Sequence, residues 1–149
     1  MINKPASKLS NEQTIQRLHY QTMLNFLLVG IGGFIGSILR YLTSGYVQQW
    51  TQSIGFPYGT LTVNLVGCFV IGFLSQLADA RGVFSTESRS FVFVGILGGF
   101  TTFSSFGNET MNLLRDGETF PAFANVAAHI VLGLGAVWLG RTVAQLIWR

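Results

Sequence analysis

Apolar positions in this chain fall into four long stretches: residues 23–39, 56–78, 90–108 and 120–140 each pass without a charged side chain. Stretches of about 18 to 20 such residues are long enough to cross the hydrocarbon core of a bilayer as helices. The pattern predicts four transmembrane helices, over 21–46, 57–79, 88–115 and 120–148, with a polar loop at 80–87 and a short turn around Asp116 and Gly117. An all-α membrane protein of this kind has almost nothing left over. A separate catalytic domain, a nucleotide-binding domain and a sizeable soluble core are excluded, and no enzyme is expected.

Composition sharpens the picture. Of 149 residues, 49% are hydrophobic and 10% charged, against roughly 25% charged in soluble domains. A pI near 9.4 invites a nucleic-acid reading, yet the nine Lys and Arg residues are scattered singly and form no basic stripe. They read as membrane-flanking charges, so the expected surroundings are lipid and not nucleic acid. Four crossings put both termini and the second loop on one side. Lys4, Lys8, Arg17, Arg81, Arg89, Arg141 and Arg149 fall there, against Arg40 and Arg115 on or near the other, which favours cytoplasmic termini. Much of that bias sits in the first 20 residues, and Arg141 lies inside the fourth span, so the core specifies orientation weakly. Cys68 is the only cysteine, which excludes an intrachain disulfide and a cysteine-built metal site.

Residues 1–20 are polar and lack the apolar stretch that follows the basic region of a cleavable signal peptide. They are expected to form a mobile tail ahead of a four-helix domain over 21–149. Ser10 and Gln13 have capping-box spacing, which would start a short interfacial helix through Leu18. In the first span, Gly32 and Gly36 form a small-xxx-small pair that lets two helix backbones approach closely in lipid. A dinucleotide fingerprint starting at Gly30 fails at Ile35, where glycine is required.

The most informative stretch is Gly98-Gly99-Phe100-Thr101-Thr102-Phe103-Ser104-Ser105-Phe106, in the middle of the third apolar segment. Adjacent glycines followed by two β-branched threonines are poor material for an uninterrupted helix, so a break is expected there. Non-helical backbone at membrane depth survives only where protein or a water-filled cavity satisfies its polar groups. Freed carbonyls at Gly98 and Thr101 can ligate a small hard cation, and the following half-helix offers amides to an anion. A simple glycine kink, with the hydroxyls bonded back to the chain, stands beside that reading. Phe103 and Phe106 are three apart and share one face of the second half-helix. Their ring edges can contact a small anion, although such pairs are more often packing.

Thr60 and Asn64 lie one above the other on the second helix. An asparagine in an apolar span must be hydrogen-bonded to another helix or line a pathway. Arg40 and Glu109 are ionisable groups well inside their segments, and such residues are functional candidates by default; Arg40 can instead snorkel to the interface. Asn125 and His129 share a face of the fourth helix. A lone histidine is more often a satisfied packing residue than a metal ligand, and no second ligand stands at metal spacing on that helix. No serine-histidine-acid arrangement, Walker loop or zinc motif appears.

Taken together, these blocks resemble the Fluc (CrcB) family of fluoride channels over essentially all of residues 21–149. The match rests on Gly32-Gly33-Phe34-Ile35-Gly36 followed by Arg40, on Gly59-Thr60-Leu61-Thr62-Val63-Asn64-Leu65-Val66-Gly67, on the Gly98 to Phe106 stretch followed by Glu109, and on Gly135-Ala136-Val137-Trp138-Leu139-Gly140. The resemblance implies a multi-pass protein of a bacterial plasma or inner membrane, with the third helix broken at mid-membrane. It also implies an antiparallel, dual-topology homodimer with two pores that export fluoride passively. A structural Na+ ion at the dimer centre would be held by the backbone carbonyls of Gly98 and Thr101 of both chains. Phe103 and Phe106 would form the aromatic box, Asn64 would present its amide to fluoride, Ser105 and Thr60 would be pore hydroxyls, and Arg40 a vestibule arginine.

Two departures stand out. His129 replaces a small hydroxyl that the family places beside the pore, which suggests a pH-sensitive conductance. The basic segment before residue 21 is longer than the family pattern needs. If it fixes one orientation, the partner would be an oppositely inserted paralogue and the assembly a heterodimer. Two other classes make different demands on the sequence. A small multidrug-type antiporter wants a buried carboxylate in the first helix, and residues 23–46 contain none. A structural membrane subunit would tolerate changes at Phe103 and Phe106.

Overall fold

The computed structural model describes residues 6–148, with side chains from residue 12 onward except Arg81. The orientation charges at Lys4, Lys8, Arg81 and Arg149 and the expected cap at Ser10 fall outside the described residues or side chains. Among the described residues the chain is helical: α1 (Ala6–Thr51), α2 (Tyr58–Arg81), α3 (Thr86–Arg89) running through π-helical turns Ser90–Leu97 into α4 (Gly98–Phe100), then α5 (Phe103–Arg115) and α6 (Thr119–Ile147). Four helical segments are long and apolar enough to cross a membrane: Glu12–Thr51, Tyr58–Ala80, Thr86–Arg115 and Thr119–Ile147.

The first helix corrects the expectation of a tail that gives way to helix near residue 21. No glycine or proline interrupts residues 6–29, so the helix that the apolar span requires continues backward through the polar segment. At 1.5 Å per residue its 46 residues measure roughly 70 Å, over twice the thickness of a bilayer core. Side chains from Glu12 to Met23 are exposed.

Short connections hold the spans together. The Gln48 amide donates to the Ser53 and Phe56 carbonyls and accepts from the Gly59 N–H, which fastens the end of α1 to the start of α2. Gly82 takes the left-handed conformation at φ 59° that closes α2, a conformation that costs glycine nothing. The Ser85 hydroxyl accepts from the Ser88 N–H and starts α3.

Packing follows glycine. A methyl group built on Gly32 would stand 2.6 Å from the Phe91 carbonyl oxygen and 2.9 Å from the Gly95 Cα, so α1 and the third span meet backbone to backbone, as small-xxx-small spacing allows. Gly72 and Gly140 do the same between α2 and α6, against Val137 and Phe69. Contacts advance together along those two helices, Asn64 beside His129, Cys68 beside Gly133 and Gly72 beside Val137. The second and fourth spans therefore run in the same direction, as four alternating crossings require.

Little is buried inside the single chain. Val63 and Asn125 are the largest fully buried side chains, while Phe34, Tyr41, Phe120 and Trp138 are 68–83% exposed. Large outward apolar side chains on every span are what lipid or a partner subunit covers.

Candidate functional site

The third span leaves helical geometry at two residues. Thr101 (φ −78°, ψ 156°) and Thr102 (φ −150°, ψ 107°) are extended between α4 and α5. Within the stretch of two glycines and two threonines, Gly98 and Gly99 remain helical, and Gly99 packs against the Gly33 backbone. The interruption comes after them because side chains there offer the backbone other partners. The Thr101 hydroxyl donates to the Leu97 carbonyl at 2.9 Å. Thr102 caps α5, its hydroxyl accepting from the Ser105 N–H at 3.2 Å and donating to the Ser105 hydroxyl at 3.0 Å.

Asn64 spans the gap from α2. Its side-chain oxygen accepts from the Thr102 N–H at 2.8 Å, and its NH2 donates to the Thr102 carbonyl at 3.1 Å. One amide thus satisfies both backbone polar groups of a residue that has left the helix, as burial demands. In an unbroken helix, the amides four residues on would serve the carbonyls of Gly98 and Thr101. Those amides are Thr102 N–H and Ser105 N–H, and both are taken by side chains. The Gly98 and Thr101 carbonyls are left without their helical donors.

Beside the break lies a groove of about 590 Å³, lined among others by Asn64, Gly98, Thr101, Phe103, Phe106 and His129. The Phe103 and Phe106 rings sit 5.4 Å apart at 55°, and His129 stacks on Phe106 at 4.2 Å. Phe103 is 84% exposed in the single chain. Apolar walls with a few convergent polar groups suit a small ligand or ion.

The remaining candidates lie elsewhere. Thr60 is buried and donates to Glu109 Oε1 at 2.6 Å; both line a second cavity of about 280 Å³ with Ser44, Gln48 and Asn112. Glu109 Oε2 is buried with no partner among the described residues. Ser105 works in the Thr102 cap. Arg40 is half-buried on α1 and lines neither of these cavities. Two participants escaped the sequence reading. Thr102 has a legible signal, a threonine three residues before Ser105 at a helix start; Cys68, in the groove wall, has none.

Four apolar spans, one of them interrupted beside a groove of aromatic and amide groups, define a multi-pass membrane protein. Residues 27–141 match the family described as CrcB-like protein, Camphor Resistance (CrcB), and the chain belongs to that family. It is 44% identical over 122 residues to the fluoride-specific ion channel FluC 3 of Methanosarcina barkeri, covering 82% of this chain and 91% of that one. Against the fluoride-specific ion channel FluC of Methylobacillus flagellatus it is 47% identical over 118 residues, 79% of this chain and 92% of the relative. The protein of the same name from Opitutus terrae is 48% identical over 121 residues, 80% and 91% of the two chains.

Proposed function

We propose that this chain is a fluoride-selective channel that lets fluoride leave the cytoplasm passively and so lowers its toxicity. The observation that carries the reading is the break at Thr101 and Thr102, bridged by Asn64 and opening on a groove with Phe103 and Phe106, in a chain whose curated relatives are named fluoride-specific channels. Fluoride is small and strongly hydrated, so a pore must replace its water with close donors and positive ring edges. The groove offers two phenylalanine rings, and in this reading Asn64 gives the ion a donor that the single chain holds on the Thr102 carbonyl or His129. Ser105 and Thr60 are further pore hydroxyls and Arg40 a vestibule cation in this reading. Hydrogen fluoride enters a cell neutral and dissociates in a more alkaline cytoplasm, and the membrane potential then favours exit of the anion. A passive path suffices.

The working unit in this proposal is an antiparallel dual-topology dimer in a bacterial plasma or inner membrane, with two pores and the third-span break at mid-membrane. A central Na+ ion fits the chemistry of the break, because the Gly98 and Thr101 carbonyls are hard oxygens that have lost their helical donors, the kind of unwound backbone that binds this ion. When bound, the ion holds two breaks together and is not transported. The weak charge bias of the core suits dual insertion. If the basic first 20 residues fix one orientation, the partner is an oppositely inserted paralogue; mapping both termini before and after removal of residues 2–20 separates the two assemblies.

The direct test is fluoride efflux from proteoliposomes, read with a fluoride electrode, with valinomycin supplying charge balance and chloride run in parallel. Rapid fluoride loss without chloride loss is expected. Folded, dimeric protein that releases neither ion would sink the homodimeric channel.

A further inference from the structure

His129 has no role in the pathway just proposed, yet both of its ring nitrogens are engaged. Nδ1 lies 2.9 Å from the Asn125 carbonyl oxygen, which can only accept, so Nδ1 carries a hydrogen. Nε2 lies 3.1 Å from the Asn64 side-chain nitrogen. The identity of that Asn64 atom is fixed independently of the histidine. The other end of the amide faces the Thr102 N–H at 2.8 Å, which can only donate, so that end is the oxygen and the NH2 turns toward His129. Nε2 therefore accepts, and the ring is the neutral Nδ1–H tautomer.

We propose that His129 is a positioning residue: its neutral imidazole accepts from Asn64 and so sets the amide that holds the Thr102 backbone at the helix break. The chemistry stands on hydrogen-bond logic alone, and its consequence for ion flow rests on the channel reading. A hydrogen-bonded chain runs from the third span through the second to the fourth, from Thr102 N–H to Asn64, from Asn64 to His129 Nε2, and from His129 Nδ1–H to the Asn125 carbonyl. With its donors directed at the Thr102 carbonyl and His129, Asn64 acts within this chain as a clamp on the break. The same imidazole stacks on Phe106, so one side chain braces both the amide side and the aromatic side of the groove.

Two measurements test this. The chain has two histidines, and 15N spectra of histidine-labelled protein, with His19→Gln for assignment, report which nitrogen of His129 bears the proton. The Nδ1–H form is expected at neutral pH; in Asn64→Leu the Asn125 carbonyl still holds that proton, and the signal of the bare Nε2 is expected to shift because its donor is gone. The second is fluoride efflux through His129→Gln and His129→Asn. Glutamine reaches the place of Nε2 and keeps the acceptor but loses the bond to Asn125; asparagine reaches the place of Nδ1 and does the reverse. Each loses one hydrogen bond, so a merely structural role predicts equal damage. A positioning role predicts near-native efflux for His129→Gln and a loss of about tenfold or more for His129→Asn, the scale of one buried hydrogen bond. An Nε2–H tautomer in the native chain, or equal efflux from the two variants, would overturn the inference. Absence of fluoride efflux from the native protein counts against the channel reading instead, and the tautomer then decides the hydrogen-bond arrangement by itself.

Discussion

Asn64 pairs with Thr102 through both of its amide atoms, at 2.8 and 3.1 Å, so that a side chain on the second span completes the backbone of the third. Asn64→Leu leaves a buried N–H and a buried C=O without partners, at about 1–3 kcal/mol for each group. A clear drop in melting temperature and loss of fluoride efflux are expected. Asn64→Asp keeps an acceptor for the Thr102 N–H but loses the donors and adds negative charge to an anion path; it is expected to abolish efflux with a smaller thermal cost.

Phe103 and Phe106 separate packing from conduction. The Phe103 ring is largely exposed, whereas Phe106 touches Phe103 and His129. Phe103→Ile is expected to change stability by under about 0.5 kcal/mol and Phe106→Ile to cost about 1 kcal/mol. Both should abolish fluoride efflux. Native efflux in folded Phe103→Ile protein would return the pair to ordinary surface packing.

Helix approach in this fold depends on glycine at some positions and not at others. A methyl group on Gly36 would run into the Ile96 carbonyl, whereas one on Gly135 meets nothing within 4 Å. Gly36→Ala is expected to destabilise by about 1–3 kcal/mol and Gly135→Ala to be near neutral, as read by thermal melting in detergent.

If Na+ binds the freed carbonyls of Gly98 and Thr101, it stabilises the folded assembly by mass action. Replacing about 150 mM Na+ with N-methylglucamine at constant ionic strength is expected to lower the melting temperature by about 2–8 °C. Equal melting in the two media would remove the ion from the proposal.

Acid should act through His129. Protonation at Nε2 puts a donor against the Asn64 NH2 and breaks that contact, so fluoride efflux is expected to hold from about pH 8 to about pH 6 and to fall in more acid medium once leak through protein-free vesicles is subtracted. Asn64, Phe106 and Asn125 face the ring and do not titrate in that interval. Glu109 on α5, bonded to Thr60, and Cys68 in the groove wall are titratable groups on the same packed elements, as are Tyr58, Asp79, Arg115 and Arg141. The fall should therefore vanish in His129→Gln and persist in Glu109→Gln.

Four apolar stretches determined four spans, because a bilayer core demands about 20 uncharged residues whatever the neighbours do. Spacing alone put Phe103 beside Phe106, and the glycine and threonine composition placed an interruption between residues 98 and 106. Local rules also set the pairing of Gly32 and Gly36, since close approach needs only the missing Cβ. They failed where a partner comes from another helix. Weak helix propensity pointed at Gly98 to Thr102 as a whole and could not say which residues leave the helix; they are Thr101 and Thr102, because Asn64, 38 residues earlier, and the Thr102 hydroxyl capture two amides. The assignment of Thr60 to the Glu109 cavity, the separation of Arg40 from the groove and the tautomer of His129 depend on the same kind of contact. Hydrogen bonds form over about 3 Å, and only the packing of the spans decides which side chains come that near.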